Sequence, residues 1–265
     1  MRPNGAVGSD EGPSRIITWE GFANARDLGG LPSQNGRVTR FGAYIRSADM
    51  RFVVEAGWQM AREAGIRTII DLRNESEIRP GAIQRLEGSA PFPAPSAAAA
   101  PPSWLSRVEV ALDDISDTAF WQFLSRERID GTPLYFRPFL DRKPERCAAA
   151  ITALADAAPG GVIFHCSAGR DRTGIITLLL LSLAGVEPDV IAQDYELSAN
   201  SLKALFSAMG QEDQGPWIEA ALAAKGSTAR DAVLATLDGF DAEAYLLAAG
   251  VSAESLATIR HRLLD

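Results

Sequence analysis

The stretch His165-Cys166-Ser167-Ala168-Gly169-Arg170-Asp171-Arg172-Thr173-Gly174 decides the reading of this 265-residue chain. It follows Gly161-Val162-Ile163-Phe164, a short apolar run with β-branched residues that predicts a buried strand. It precedes an apolar run over 173–184, long enough for about three helical turns. The stretch therefore predicts a loop at a helix N-terminus, where unpaired N–H groups and the helix dipole favour an anion. No G-x-x-x-x-G-K-[ST] motif occurs, so a Walker-type nucleotide loop is excluded.

The residue types in the loop point to one chemistry. A free thiol has a pKa of about 8.5, which falls to roughly 3.5–7.5 at a helix N-terminus beside arginine. Cys166 is the expected nucleophile; its attack on phosphorus would give a phosphocysteine that water hydrolyses. Arg172 is the expected clamp, since its planar fork binds two phosphate oxygens at once and a lysine cannot. Ser167, Ala168, Gly169, Arg170 and Asp171 are expected to complete the phosphate-binding turn. Gly169 is assigned a positive φ that turns successive N–H groups inward. Gly174 is expected to let the helix start close to the strand. Thr173 is expected to bond the sulfur as it leaves, and His165 to orient the loop through the backbone. Asp171 has two readings, a brace for the neighbouring arginines or an acid. No metal ligands and no cofactor are expected.

These residues resemble the loop of the cysteine-based protein tyrosine phosphatases. The closer likeness is to the atypical bacterial branch that includes the mycobacterial type B enzyme, whose loop runs HCxAGKDRTG. Further matches follow in order: Asn24-Ala25-Arg26-Asp27-Leu28-Gly29-Gly30, Tyr44-Ile45-Arg46-Ser47-Ala48, Gly65 through Asp71-Leu72-Arg73, and Val190-Ile191-Ala192-Gln193-Asp194-Tyr195. The resemblance implies an α/β, cysteine-based phosphatase fold: a small, mainly parallel sheet flanked by helices, with an enlarged helical C-terminal part. It implies hydrolysis of phosphate monoesters, with phosphotyrosine in a protein or peptide favoured and dual specificity within reach. The family's lysine after the glycine is Arg170 here. A lysine at that place goes with wider activity, including towards phosphoinositides; Arg170 is bulkier and binds as a fork, which counts against lipid activity, and a phosphoinositide or inositol-phosphate phosphatase is the alternative. A non-catalytic phosphate-binding module and a sulfur-transfer or arsenate-reducing enzyme rank lower, because Cys166, Arg172 and Thr173 are all present.

The first chemical step expels an alkoxide or phenoxide and calls for a general acid. Asp71 closes the apolar run Thr68-Ile69-Ile70, aligns with the family's D-L-R motif and is the preferred candidate, because sites gather at strand ends in α/β sheets. Its competing reading is an ion pair with Arg73. Asp113 or Asp114, after the strand-like 108–112, and Asp171 are the other candidates.

Composition narrows the setting. Hydrophobic residues make up 46%, enough for a sizeable core, and the formal net charge is −8, which argues against nucleic acid and anionic membrane surfaces as partners. Residues 1–14 are rich in Gly, Pro and Ser, lack the apolar core of a signal peptide and read as a tail. Residues 15–265 read as a single phosphatase domain. The apolar run 174–186 is too short for a bilayer, so the cytoplasm is the default location, with secretion by a route without a classical signal as the alternative. Residues 74–103 form a Pro/Ala-rich insertion, either a flap or a passive surface loop. Of the two cysteines, Cys147 falls in a helix expected over 144–157 and reads as core, with a reversible disulfide to Cys166 as the alternative. Arg26 and Asp27 suggest an ion pair near the site. Helices are further expected over 48–64, 116–126, 188–205, 216–224, 228–237, 242–248 and 253–264, with the Tyr135, Phe136 and Phe139 rings packed in the core.

Overall fold

A computed structural model describes residues 13–34, 36–79 and 99–265. The expected tail at 1–14 and the expected insertion at 74–103 therefore lie largely outside the described residues.

Among the described residues, five strands form one sheet: β1 (Arg26–Asp27), β2 (Tyr44–Ser47), β3 (Ile66–Asp71), β4 (Ser106–Glu109) and β5 (Gly161–His165), in the order β1-β2-β5-β3-β4. Only β1 runs antiparallel to its neighbour; the other pairings are parallel. The helices are α1 (Glu55–Glu63), α2 (Glu75–Ile78), α3 (Thr118–Glu127), α4 (Phe136–Arg142), α5 (Pro144–Ala155), α6 (Asp171–Leu183), α7 (Pro188–Ala208), α8 (Gly215–Ala224), α9 (Ala229–Leu237), α10 (Ala242–Ala248) and α11 (Ala253–Leu264). None is long and apolar enough to cross a membrane. The expected α/β architecture with a helical C-terminal part is the one observed.

The central strands β3 and β5 and their neighbour β2 carry apolar residues on both faces because both faces are covered. Ile45, Ile69 and Ile163 share one core with Trp58 and Ala61 of α1. Their neighbours Tyr44, Ile70, Val162 and Phe164 point the other way, into the larger core with α5, α6, α10 and α11. Helix α6 is buried almost all round, as its apolar run over 174–181 requires; the one polar residue in that run, Thr177, donates its hydroxyl to the Thr173 carbonyl. Tyr135, Phe136 and Phe139 lie in the same core, at most 4% exposed, as expected for packing rings. The helix expected over 48–64 begins only at Glu55, because Asp49 folds back to accept from the Arg51 backbone and guanidinium.

The register aligns the strand ends. Ser47 and Asp71 both pair with His165, and Glu109 pairs with Asp71. The residues leaving β2, β5, β3 and β4 thus emerge side by side at one edge of the sheet, where α/β sheets place their sites.

A buried ion cluster ties the N-terminal segment to α7 beneath that edge. The Asp194 carboxylate accepts from Arg26 Nε at 3.0 Å, Arg46 Nη1 at 2.7 Å and Arg15 Nη2 at 2.5 Å. Arg26 and Arg46 are 1% and 0% exposed. The ion pair expected between Arg26 and Asp27 does not form, because adjacent strand residues face opposite ways; Asp27 instead accepts from the Gly29 and Gly42 amides. Burial pushes the Asp194 carboxyl up, but the three arginines outweigh it and hold it well below the usual carboxylate range. Replacing Asp194 by Asn leaves two buried guanidinium groups without a counter-charge. The expected cost is about 3–5 kcal/mol, read as a lower urea midpoint of unfolding.

Candidate active site

The loop 166–170 joins β5 to α6, and the whole protein holds its carbonyls outward. The Cys166 carbonyl meets His165 Nδ1 at 3.0 Å. The Ser167 carbonyl accepts from the Asp49 amide. Asn24 Nδ2 donates to the Ala168 and Gly169 carbonyls at 3.0 and 3.1 Å, and Arg46 Nη2 donates to Gly169 at 2.9 Å. The Arg170 carbonyl accepts from the Gly174 amide. The N–H groups of residues 167–172 donate to nothing among the described residues. Six successive unpaired amides make an anion nest. Gly169 has the expected positive φ, +68°, and a Cβ there would stand 2.3 Å from the Ser47 carbonyl oxygen. Gly174 works differently from expectation: a Cβ would crowd the Phe136 and Tyr195 rings at 3.0 and 3.2 Å, so its close neighbours are aromatic side chains rather than the strand.

Cys166 lies at the start of this turn and is 3% exposed. Both cysteines are free thiols. Cys147 sits in the core on α5, and burial pushes its thiol up to about 12. Thr173 is fully buried, and its hydroxyl has no hydrogen-bond partner among the described residues.

The four acidic residues weighed as the acid, and a fifth carboxylate that the sequence reading passed over, separate by their partners. Asp71 is fully buried and accepts from Arg73 Nε at 2.9 Å, Arg73 Nη2 at 2.8 Å and Arg107 Nη2 at 2.5 Å, with His165 Nε2 at 3.6 Å. Burial pushes its carboxyl up, but these donors prevail and hold it well below the usual range. Asp114 is held at about 2, by Ser116 and by Lys143 at 3.1 Å. Asp171 braces Arg170, accepting at its Nε and Nη2 at 3.1 and 3.0 Å, and accepts from the Tyr195 hydroxyl. Asp113, unlike Asp71 and Asp114, is raised, to about 6. Burial is the main cause, opposed by Arg172, whose Nη1 is 3.3 Å away, and assisted by the carboxylates of Glu77 and Asp171.

Glu77 is the fifth. Both of its oxygens take Arg172, at 2.6 and 2.7 Å, and the Ser167 hydroxyl donates to it at 2.7 Å. Burial raises its carboxyl and Arg172 lowers it further, to about 2. One sequence signal marks its place: Asn74-x-x-Glu77 is a capping box, and the structure forms it. The Arg170 side chain, 9% exposed, is spent on Asp171, the Gly131 carbonyl and Gln214. It reaches the turn through its amide and not as an outward cation.

Replacing Asp71 by Asn is expected to cost about 1.5–3 kcal/mol, the worth of hydrogen bonds to a charged group. Because its folded pKa is depressed, this stability is present above the unfolded carboxylate pKa of about 3.9 and is lost as pH falls further. Thermal melts of the two proteins at pH 7 and below pH 3 check both points: the difference should close in acid.

Similarity to known proteins agrees with this site. A Cupriavidus necator protein carrying a tyrosine-protein phosphatase name is 30% identical over 200 residues, covering 72% of this chain and 65% of the relative, so the chain spans just under two thirds of that protein's length. A tyrosine-protein phosphatase of Nostoc commune is 29% identical over 83% of this chain and 74% of its own. The triple specificity protein phosphatase PtpB of Mycobacterium tuberculosis is 28% identical over 72% of this chain and 73% of its own. The sequence model of the tyrosine phosphatase family matches residues 17–265, and the chain belongs to that family.

Proposed function

We propose that residues 15–265 form one domain that hydrolyses phosphate monoesters through a phosphocysteine, with phosphotyrosine in a protein or peptide as the first substrate. The observation that carries this reading is the row of six unpaired amides over 167–172, which begins beside Cys166 and ends at Arg172. A phosphoryl dianion seats on these amides, and Arg172 clamps two of its oxygens. The Cys166 sulfur, as thiolate, attacks phosphorus; the S–P bond forms as the bond to the leaving oxygen breaks.

Asp113 supplies the proton to that oxygen. It faces Arg172 and is raised to about 6, so it holds a proton in mildly acidic solution, whereas Asp71, Glu77 and Asp114 are held ionised by cations and hydrogen bonds. In the second step the Asp113 carboxylate takes a proton from water, water oxygen bonds to phosphorus, and the S–P bond breaks. The buried Thr173 hydroxyl, with no other acceptor, is assigned to the departing sulfur. His165 orients the turn through the Cys166 carbonyl.

The relatives named as tyrosine-protein phosphatases support phosphotyrosine, and the triple specificity relative supports a wider range. The alternative of a phosphoinositide substrate loses its strongest argument here, since the Arg170 fork is already engaged within the protein. Two free thiols and no disulfide among the described residues suit a reducing compartment such as the cytoplasm.

Turnover of p-nitrophenyl phosphate in EDTA is the direct test. Wild type should turn over and Cys166→Ser should not; metal-dependent turnover, or turnover that survives the serine, defeats the mechanism. For the acid, Asp113→Asn should slow phenyl phosphate by about 10²-fold or more and p-nitrophenyl phosphate much less, because a good leaving group needs little protonation. The sign in pH follows: kcat for phenyl phosphate falls as pH rises above about 6, where Asp113 loses its proton. The Asn variant should lack that limb.

A further inference from the structure

The sheet ends in an open strand. β4 is the last in the order, and all four of its residues, Ser106 to Glu109, are exposed. Beyond it, the Val110 and Leu112 amides donate back to the Asp71 and Leu72 carbonyls. Backbone groups alternate in direction along a strand, so the N–H and C=O groups of Arg107 and Glu109 point away from β3. They have no hydrogen-bond partner among the described residues. Such an edge is a template for a further strand.

Behind the edge, the helical layer leaves a gap. Ser106 and Val108 line a cavity of about 680 Å³ whose other wall carries Ala149 and Ala153 of α5. Small residues on both walls keep it unfilled. Thr68 of β3 also lines it; this residue is 1% exposed and its hydroxyl has no hydrogen-bond partner. A buried hydroxyl left unpaired is costly, and a polar group entering the cavity would satisfy it.

The charges around the gap have one sign. Asp156 lines this cavity and, with Glu254, a second one of about 430 Å³ beside it. No cation among the described residues lines either; Arg262 donates to the Ala157 and Ala158 carbonyls without reaching the cavities. Asp156 is the C-cap of α5, and its carboxylate has no hydrogen bond or ion pair among the described residues. A carboxylate there opposes the helix dipole, so helix stability does not account for it.

We propose that the open edge of β4 and the cavity behind it dock an extended peptide segment of the phosphoprotein substrate, with a lysine or arginine side chain seated in the cavity. That the segment belongs to the substrate rests on the phosphatase reading above; the docking chemistry does not. Main-chain bonds to Arg107 and Glu109 hold the segment, and an alternate side chain gives the specificity. Its methylene stem covers the alanine wall while its cation reaches Asp156 and Glu254. The net charge of −8 attracts a basic segment as well. An added strand would stand three spacings of about 4.8 Å from β5, with Ser106 three residues of about 3.3 Å below Glu109. About six extended residues therefore separate the seated side chain from the phosphate loop.

The test uses synthetic peptides. Each carries Thr-Val-Lys-Val-Thr about six residues from a phosphotyrosine, before it in one peptide and after it in another. Controls replace the lysine by glutamate. Wild type should show about tenfold higher kcat/KM on the lysine peptide than on its control in one of the two orientations. Asp156→Lys should erase that preference and leave p-nitrophenyl phosphate turnover unchanged, since a cation suits a helix C-terminus and the fold is kept. Equal kcat/KM for lysine and glutamate in both orientations overturns the proposal. A preference that survives Asp156→Lys overturns it too.

A second arm needs no turnover. The unphosphorylated lysine peptide is titrated into Cys166→Ser, and amide hydrogen exchange is followed by NMR. Exchange at Arg107 and Glu109 should slow at saturation; unchanged exchange, or no binding, overturns strand addition. If the peptide docks while no phosphate ester is turned over, the catalytic reading alone is lost. If phosphotyrosine is hydrolysed without lysine preference or docking, this proposal alone falls. A dimer through β4 that the peptide does not displace, read by sedimentation velocity, assigns the edge to a second copy of the chain and overturns the proposal.

Discussion

The site depends on carbonyls being held away from it. A backbone turn can face an anion with its N–H groups only if its C=O groups find donors on the other side. Here Asn24, Arg46, the Asp49 amide and His165 supply them. Two of these suppliers are themselves anchored by charge: Arg46 is bound by Asp194, and Asn24 Oδ1 accepts from Arg26, which Asp194 also holds. A carboxylate on α7, remote in sequence from the loop, thereby sets the direction of the loop amides. Such a buried cluster is an expensive way to gain stability, and its return is the shape of the nest.

The carboxylates around that nest divide into two kinds by their donors. Asp71 and Glu77 are surrounded by guanidinium and hydroxyl groups and stay charged, so each acts as a strut. Asp71 joins β3 to Arg73 and Arg107, and Glu77 joins α2 to Arg172. Asp113 is buried, shares Arg172 with Glu77 and receives no hydrogen bond of its own from it, which leaves its carboxyl raised, to about 6, where those of Asp71 and Glu77 are lowered. Pairs of acids pushed apart by environment are how one fold combines anion binding with acid catalysis.

The departure from the family pattern at Arg170 also has a structural use. Its fork ties the loop to Asp171, the Gly131 carbonyl and Gln214, and so joins the turn to the segments before α4 and before α8. A lysine has a single charged nitrogen and could not make this set of planar contacts. On the proposed reading, the second loop arginine offers the dianion its amide alone, because its fork is engaged within the protein.

The local pattern determined the strand, the loop and the buried helix, because an apolar β-branched run, a glycine with positive φ and a predominantly apolar helix each carry their signal within a few residues. The same holds for the C-terminal helices, whose observed ends lie within a few residues of those expected. Choosing among the acids was another matter. Asp71 and Asp113 look alike in one dimension, each a carboxylate after an apolar strand. Only the packed structure decided that two arginines converge on the first and that the second is buried against Glu77 and Arg172. Glu77 escaped notice for the same reason: a glutamate in a short capped helix reads as solvated until the chain brings Arg172, 95 positions away, onto it. Protonation and partner choice are properties of distance through space, and for these residues that distance is set by the register of β3 beside β5.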